Sequence, residues 1–259
     1  MRGHLDKIER IWAGREQSGV KRNVWTVLLL AVLSACGSAA PQEVKVTVSG
    51  MNTDTIVFSP SNTAEVSPSK TATVAATSFV EPAGCMRPPD DMSKVQVNGV
   101  TLNQRTYAML QHADSLYEGP IDVDGFSITQ GSYVDTEPLS FGTHAGGGAV
   151  DISVINPLRW EVLHDEVEPL VRALRVAGFA AWFRDHGELA PDSPVHIHAI
   201  AIGDPELSPS AAEQLNGPFG YFRGYNGLPQ DDGVPVQDGH GDPVLCLWML
   251  EMGYRDLRE

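Results

Sequence analysis

The sequence predicts an α+β domain, a small and mainly antiparallel sheet of about four strands with helices packed on it. Three observations carry this. Short apolar or alternating runs at 126–133, 148–154, 179–185 and 195–203 read as strands. About three stretches with helical spacing lie between and after them. The two kinds do not alternate strictly, as a parallel sheet with crossover helices would require.

Each element has a local reason. "VQVNGVTL" reads as a strand and a turn. Residues 103–117 read as a helix, with Thr106, Met109, Leu110, Ala113 and Leu116 at helical spacing. "FSITQGSY" and "GAVDISV" are strands. Residues 158–177 carry Leu163, Val167, Leu170, Val171 and Leu174 on one stripe, and Pro169 inside it predicts a kink or two pieces. "FAAWFRD" and "VHIHAIAIG" are the last two strands. Ser208-Pro209 suits a helix start, and Ser210 with Glu213 offers a competing capping box. The tail from Gly217 reads as surface loops closed by a short helix near 245–256.

Of the 259 residues, about a third cannot build a core. The net charge of −15 excludes a nucleic-acid binder, which needs a basic face. Lys21 and Arg22 precede "VWTVLLLAVLSAC", too short for a span of about 20 residues but suited to a secretory signal. "LSAC" resembles the bacterial lipoprotein signal, which implies lipid on Cys36. Residues 1–36 are then the signal peptide, 37–84 a Ser/Thr/Ala/Pro-rich tether, and 85–259 the folded domain. A strand pair within "EVKVTVSGMNTDTIVF" is an added possibility in the tether. The expected location is extracytoplasmic, at a membrane through the lipid, as a monomer. Of three cysteines, Cys85 and Cys246 remain, and an exported chain can join them as a disulfide; two unrelated buried thiols are the alternative.

Two stretches suggest a metal. In "THAGGGAVDIS", His144 and Asp151 lie either side of three glycines, which would let both reach one ion. In "HIH", His196 and His198 share one face of an apolar strand, where two imidazoles need partners. Zinc takes histidine nitrogen and carboxylate oxygen, and catalytic sites use three protein ligands. Four candidates compete for those three places. A cupin would also place HxH on a strand, but "AIAIGD" lacks the following Glu.

Together the motifs resemble those of the zinc D-Ala-D-Ala peptidases, grouped with lysostaphin-type endopeptidases and the hedgehog signalling domain. That family's first motif is Ser-x-His-x-x-Gly-x-Ala-x-Asp. His144, Gly147, Ala149 and Asp151 match in register, and Gly142 stands in place of the Ser. His198 matches the second motif's ligand and His196 the group before it. The likeness covers roughly residues 100–205. A group of exported bacterial proteins with "TQGSY", "THxGGGAVD" and "HIHA" in the same order is also similar. The resemblance implies that His144, Asp151 and His198 bind Zn2+ and that His196 is the catalytic base. It implies hydrolysis of amide bonds in cell-wall peptides. Family members carry an Arg in the strand before the first motif; here Gln130 or Tyr133 would take part of its substrate-binding role by hydrogen bonding. A zinc-holding, non-hydrolytic binding or scaffold module is the alternative that the hedgehog branch allows.

Overall fold

A computed structural model describes residues 79–136 and 140–258. The signal segment, Cys36, the tether up to residue 78 and the alternating stretch within it lie outside the described residues. No described helix is long and apolar enough to cross a membrane.

The chain forms an α+β structure with two antiparallel sheets. Strands β1 (Lys94–Val97) and β2 (Val100–Asn103) make a hairpin. Its turn is Asn98-Gly99, with φ of 48° and 84°, the backbone that a tight two-residue hairpin turn needs. Helix α1 (Gln104–Tyr117) follows directly, because Asn103 accepts a hydrogen bond from Thr106 N at 2.8 Å and caps it.

The main sheet contains β3 (Ile128–Gln130), β4 (Ala149–Ser153), β5 (Phe179–Arg184) and β6 (His196–Ala201), in the order β3-β4-β6-β5. Helix α2 (His164–Ala177) joins β4 to β5, and α3 (Pro209–Asn216) and α4 (Leu247–Glu251) follow β6. Ser208 caps α3 by accepting from Ala211 N, with Pro209 at the first turn, so the competing capping box is not used.

Three elements are shorter than the pattern predicts, one of them α4, which spans only Leu247–Glu251 of the expected 245–256. β3 ends at Gln130 because the pairing shifts there, and the next amides turn elsewhere: Ser132 N donates to Thr101 O and Tyr133 N to Gly146 O. α2 begins at His164, not near 158. Asn156 instead folds residues 158–163 into a loop, its side chain accepting from the amides of Leu158 and Arg159. α2 runs through Pro169 as one helix. Pro169 lies on the exposed side, where water can satisfy the carbonyl it leaves unbonded.

Alternation along the strands separates two cores. On one face Val150, Ile152, Ile197 and Ala199 pack against α1 and α2. On the other, Ala180, Trp182 and Ile200 pack with Ala211, Leu215 and the C-terminal segment around Tyr221 and Trp248. Cys246 belongs to this second core and is bonded to Cys85. Closing so long a loop stabilises by about 2–4 kcal/mol. The order reaches back before the expected boundary at 85, since Glu81 accepts from Leu247 N and Gly84 O contacts His112 Nε2.

Candidate metal centre

The register of the main sheet assembles the site. Asp151 on β4 faces His198 on β6, which faces Trp182 on β5; Gln130 on β3 lies on the other side of Asp151. The next row is Ser153, His196 and Arg184. Both rows share the face of the second core. His144 comes from a 3-10 turn (Thr143–Ala145) just before β4. The hydroxyl of Ser208, besides capping α3, donates to Thr143 O at 3.0 Å, so one residue fixes both the His144 turn and the start of α3.

The glycines serve both bending, at Gly148, and close packing, at Gly146. A Cβ on Gly146 would lie 2.3 Å from Glu206 O, so the chain passes directly against residues 206–208. Gly147 N donates to that same carbonyl at 2.7 Å. Gly142 and Gly148 have φ of 76° and 80°, which explains why no Ser stands at 142.

The ligand atoms converge. His144 Nε2 is 3.3 Å and His198 Nδ1 is 2.7 Å from Asp151 Oδ1. One atom from each of the three residues lies within 4.8 Å of the others. The opposite ring nitrogens are committed: His144 Nδ1 to Gly131 O at 2.8 Å, His198 Nε2 to Gln214 Oε1 at 3.1 Å. A backbone carbonyl oxygen only accepts, so His144 Nδ1 carries a proton and its Nε2 presents a lone pair when the ring is neutral, whereas His198 can place its proton toward Gln214 or toward Asp151. With the His198 proton toward Gln214, two lone pairs face a carboxylate, an arrangement that a cation satisfies. Donors around tetrahedral zinc at about 2.0–2.1 Å lie about 3.3–3.4 Å apart. The His144 pair already has that spacing, and the His198 pair would open by about 0.6–0.7 Å. This buried group of two imidazoles and a carboxylate could hold a metal.

Charge at the site is set by competition. Burial pushes His198 down to about 4 against the pull of Asp151. For His144 burial also lowers the pKa, but the Asp151 carboxylate outweighs it and the net shift is upward. Burial alone would raise Asp151, yet His144 and His198 hold its carboxyl well below the usual range.

The chain matches no protein-family model, no curated protein and no solved structure.

His196 lies beside the triad. Its Nδ1 donates to Pro194 O at 2.8 Å, which leaves Nε2 as the basic nitrogen, 3.8 Å from Asp151 Oδ1. The site opens into a cleft of about 490 Å³, with exposed Phe141 and Trp160 on its wall. Gln130 lines this cleft, and its amide donates to Ser140 Oγ at 2.7 Å. Tyr133 does not line it. Its hydroxyl donates to Glu206 and its ring lies under Lys94 Nζ, so Tyr133 braces the 204–206 loop and is not placed to touch a ligand in the cleft.

Three residues escape the sequence motifs. Gln214 touches His198, Trp182 stacks on the His198 ring with centroids 6.2 Å apart, and Arg184 lines the cleft. Among the described lining residues Arg184 is the one permanent cation. It donates to Glu188 at 3.2 Å and to Asn226 O at 2.8 Å. That pairing engages Glu188, which also accepts from Asp185 N. The one available signal was a polar residue on a buried helix face: Ala211, Gln214 and Leu215 form the inner side of α3.

Proposed function

We propose that this is a zinc-dependent peptidase of the hedgehog and D-Ala-D-Ala peptidase fold, lipid-anchored outside the cytoplasm at Cys36, that hydrolyses amide bonds in cell-wall peptides. The observation that carries it is the convergence of His144 Nε2, Asp151 Oδ1 and His198 Nδ1 with their other ring nitrogens already bonded. Motif order supports the family, and the signal-like N-terminus supports the compartment. Zinc held there would supply Lewis acidity and bring the pKa of a bound water down to near neutrality.

The chain's own groups then have distinct tasks. His196 Nε2 accepts a proton, and the Pro194 carbonyl fixes the ring for this. Arg184, paired with Glu188 and the Asn226 carbonyl, holds its guanidinium in place beside the base. Phe141 and Trp160 offer apolar surface to the flanking peptide.

The test is metal content of the purified full chain by mass spectrometry, beside a His144→Ala, His198→Ala variant, followed by assay on peptidoglycan fragments. About one zinc per chain, lost in the variant, with new amino groups released from the fragments, is the expected result. Zinc without turnover leaves the non-hydrolytic binding or scaffold module. No metal even after zinc reconstitution removes the peptidase.

A further inference from the structure

We propose that Gln214 is a positioning residue whose buried carboxamide serves either tautomer of His198 by turning over, and so lets a metal enter without the loss of a hydrogen bond. This rests on the metal site proposed above. Helix α3 buries Ala211, Gln214 and Leu215, two apolar residues and one amide. A buried amide needs a partner, and the contact made by Gln214 is His198 Nε2 at 3.1 Å.

A neutral imidazole has one donor and one acceptor. With the proton on Nε2, that nitrogen donates to Gln214 Oε1, and Nδ1 offers its lone pair toward Asp151. This is the form a metal requires. With the proton on Nδ1, that nitrogen donates to Asp151 Oδ1 at 2.7 Å, and Nε2 must accept. The same amide rotated by half a turn presents an N–H for this. A carboxylate could satisfy the first form alone, and an aliphatic side chain neither. Trp182 lies within 14° of parallel to the His198 ring and holds its plane, so the proton and the amide move while the ring stays.

The experiment is nitrogen NMR of the full chain with labelled histidine, metal-free and with zinc chloride, in wild type, Gln214→Glu and Gln214→Leu. Loss of a signal in His198→Ala assigns that ring. In wild type the His198 proton is expected on Nδ1 without metal and on Nε2 with zinc. In Gln214→Glu, Nε2 carries a proton in both states. In Gln214→Leu the metal-free proton stays on Nδ1 and zinc binds about 10–100-fold more weakly, while Gln214→Glu retains wild-type affinity or better. Equal zinc affinity in the Leu variant, or the same His198 tautomer in the metal-free Glu and Leu variants, overturns the proposal. Should the Leu variant not fold, the near-isosteric Glu variant against wild type decides it by the metal-free tautomer. Should no protein bind zinc, the peptidase fails, yet that metal-free comparison still tests Gln214.

Discussion

The two faces of the main sheet are made by the same strands and differ in almost everything else. Toward α1 and α2, β4 and β6 present Val150, Ile152, Ile197 and Ala199, all fully buried. One residue out of phase, they present Asp151, His196 and His198. Period-two alternation alone makes this division, so neighbours in the chain serve opposite ends. The first face stabilises through apolar burial, which is non-directional and tolerant in detail. The second carries its own apolar core around Ile200 and Trp182 and, beside it, buried polar groups, each of which depends on a particular partner. The teaching is that the apolar face supplies a rigid plane on which the polar face can hold ligands at fixed spacing.

The separation can be broken at its strongest point first. Asp151→Asn keeps the shape and removes the charge between the two histidines, so metal content should fall from about one ion per chain to near zero and cleavage should vanish. Elemental mass spectrometry and a peptide assay check this, and retained metal would mean that the polar face is structural. On the opposite face, Ile197→Ala should cost about 2–5 kcal/mol in denaturant unfolding and leave metal stoichiometry unchanged. Loss of metal in that folded variant would show that the faces are not independent. Next in size is removal of the ion. Zinc at a hundredfold excess over its Kd stabilises by about 2.7 kcal/mol. Chelation should therefore lower the thermal midpoint by about 5–10 °C, at about 2–4 °C per kcal/mol for a domain of this size. A midpoint indifferent to chelator would leave the triad as a metal-free hydrogen-bond cluster. The smallest effect is expected at Tyr133→Phe, which gives up the bond to Glu206 for about 0.5–1.5 kcal/mol and leaves peptide KM unaltered. A raised KM would bring Tyr133 back to the cleft.

Legibility in the sequence followed the range of the interaction. The strand cores, the helices after Asn103 and Ser208, and the shared face of His196 and His198 all rest on spacing within one element. Tyr133 was misplaced because its direction depends on a turn at φ 64° and on Glu206, 73 residues away. The start of α2 was misplaced because Asn156 bonds the amides of Leu158 and Arg159 before any helix can form. The glycine run was explained as a bend, while its use against residues 206–208 shows only when β4 lies beside that loop.

By itself the sequence determined the α+β class and four candidate ligands, His144, Asp151, His196 and His198, because periodicity and motif spacing are properties of neighbouring residues; the choice of three among them came from the family resemblance. The tertiary structure alone decided that these three meet on one sheet face, which ring nitrogens face inward, and that Gln214, Trp182 and Arg184 stand around them. Those facts depend on strand order and register, and residues 47 positions apart such as Asp151 and His198 have no relation until the sheet pairs them.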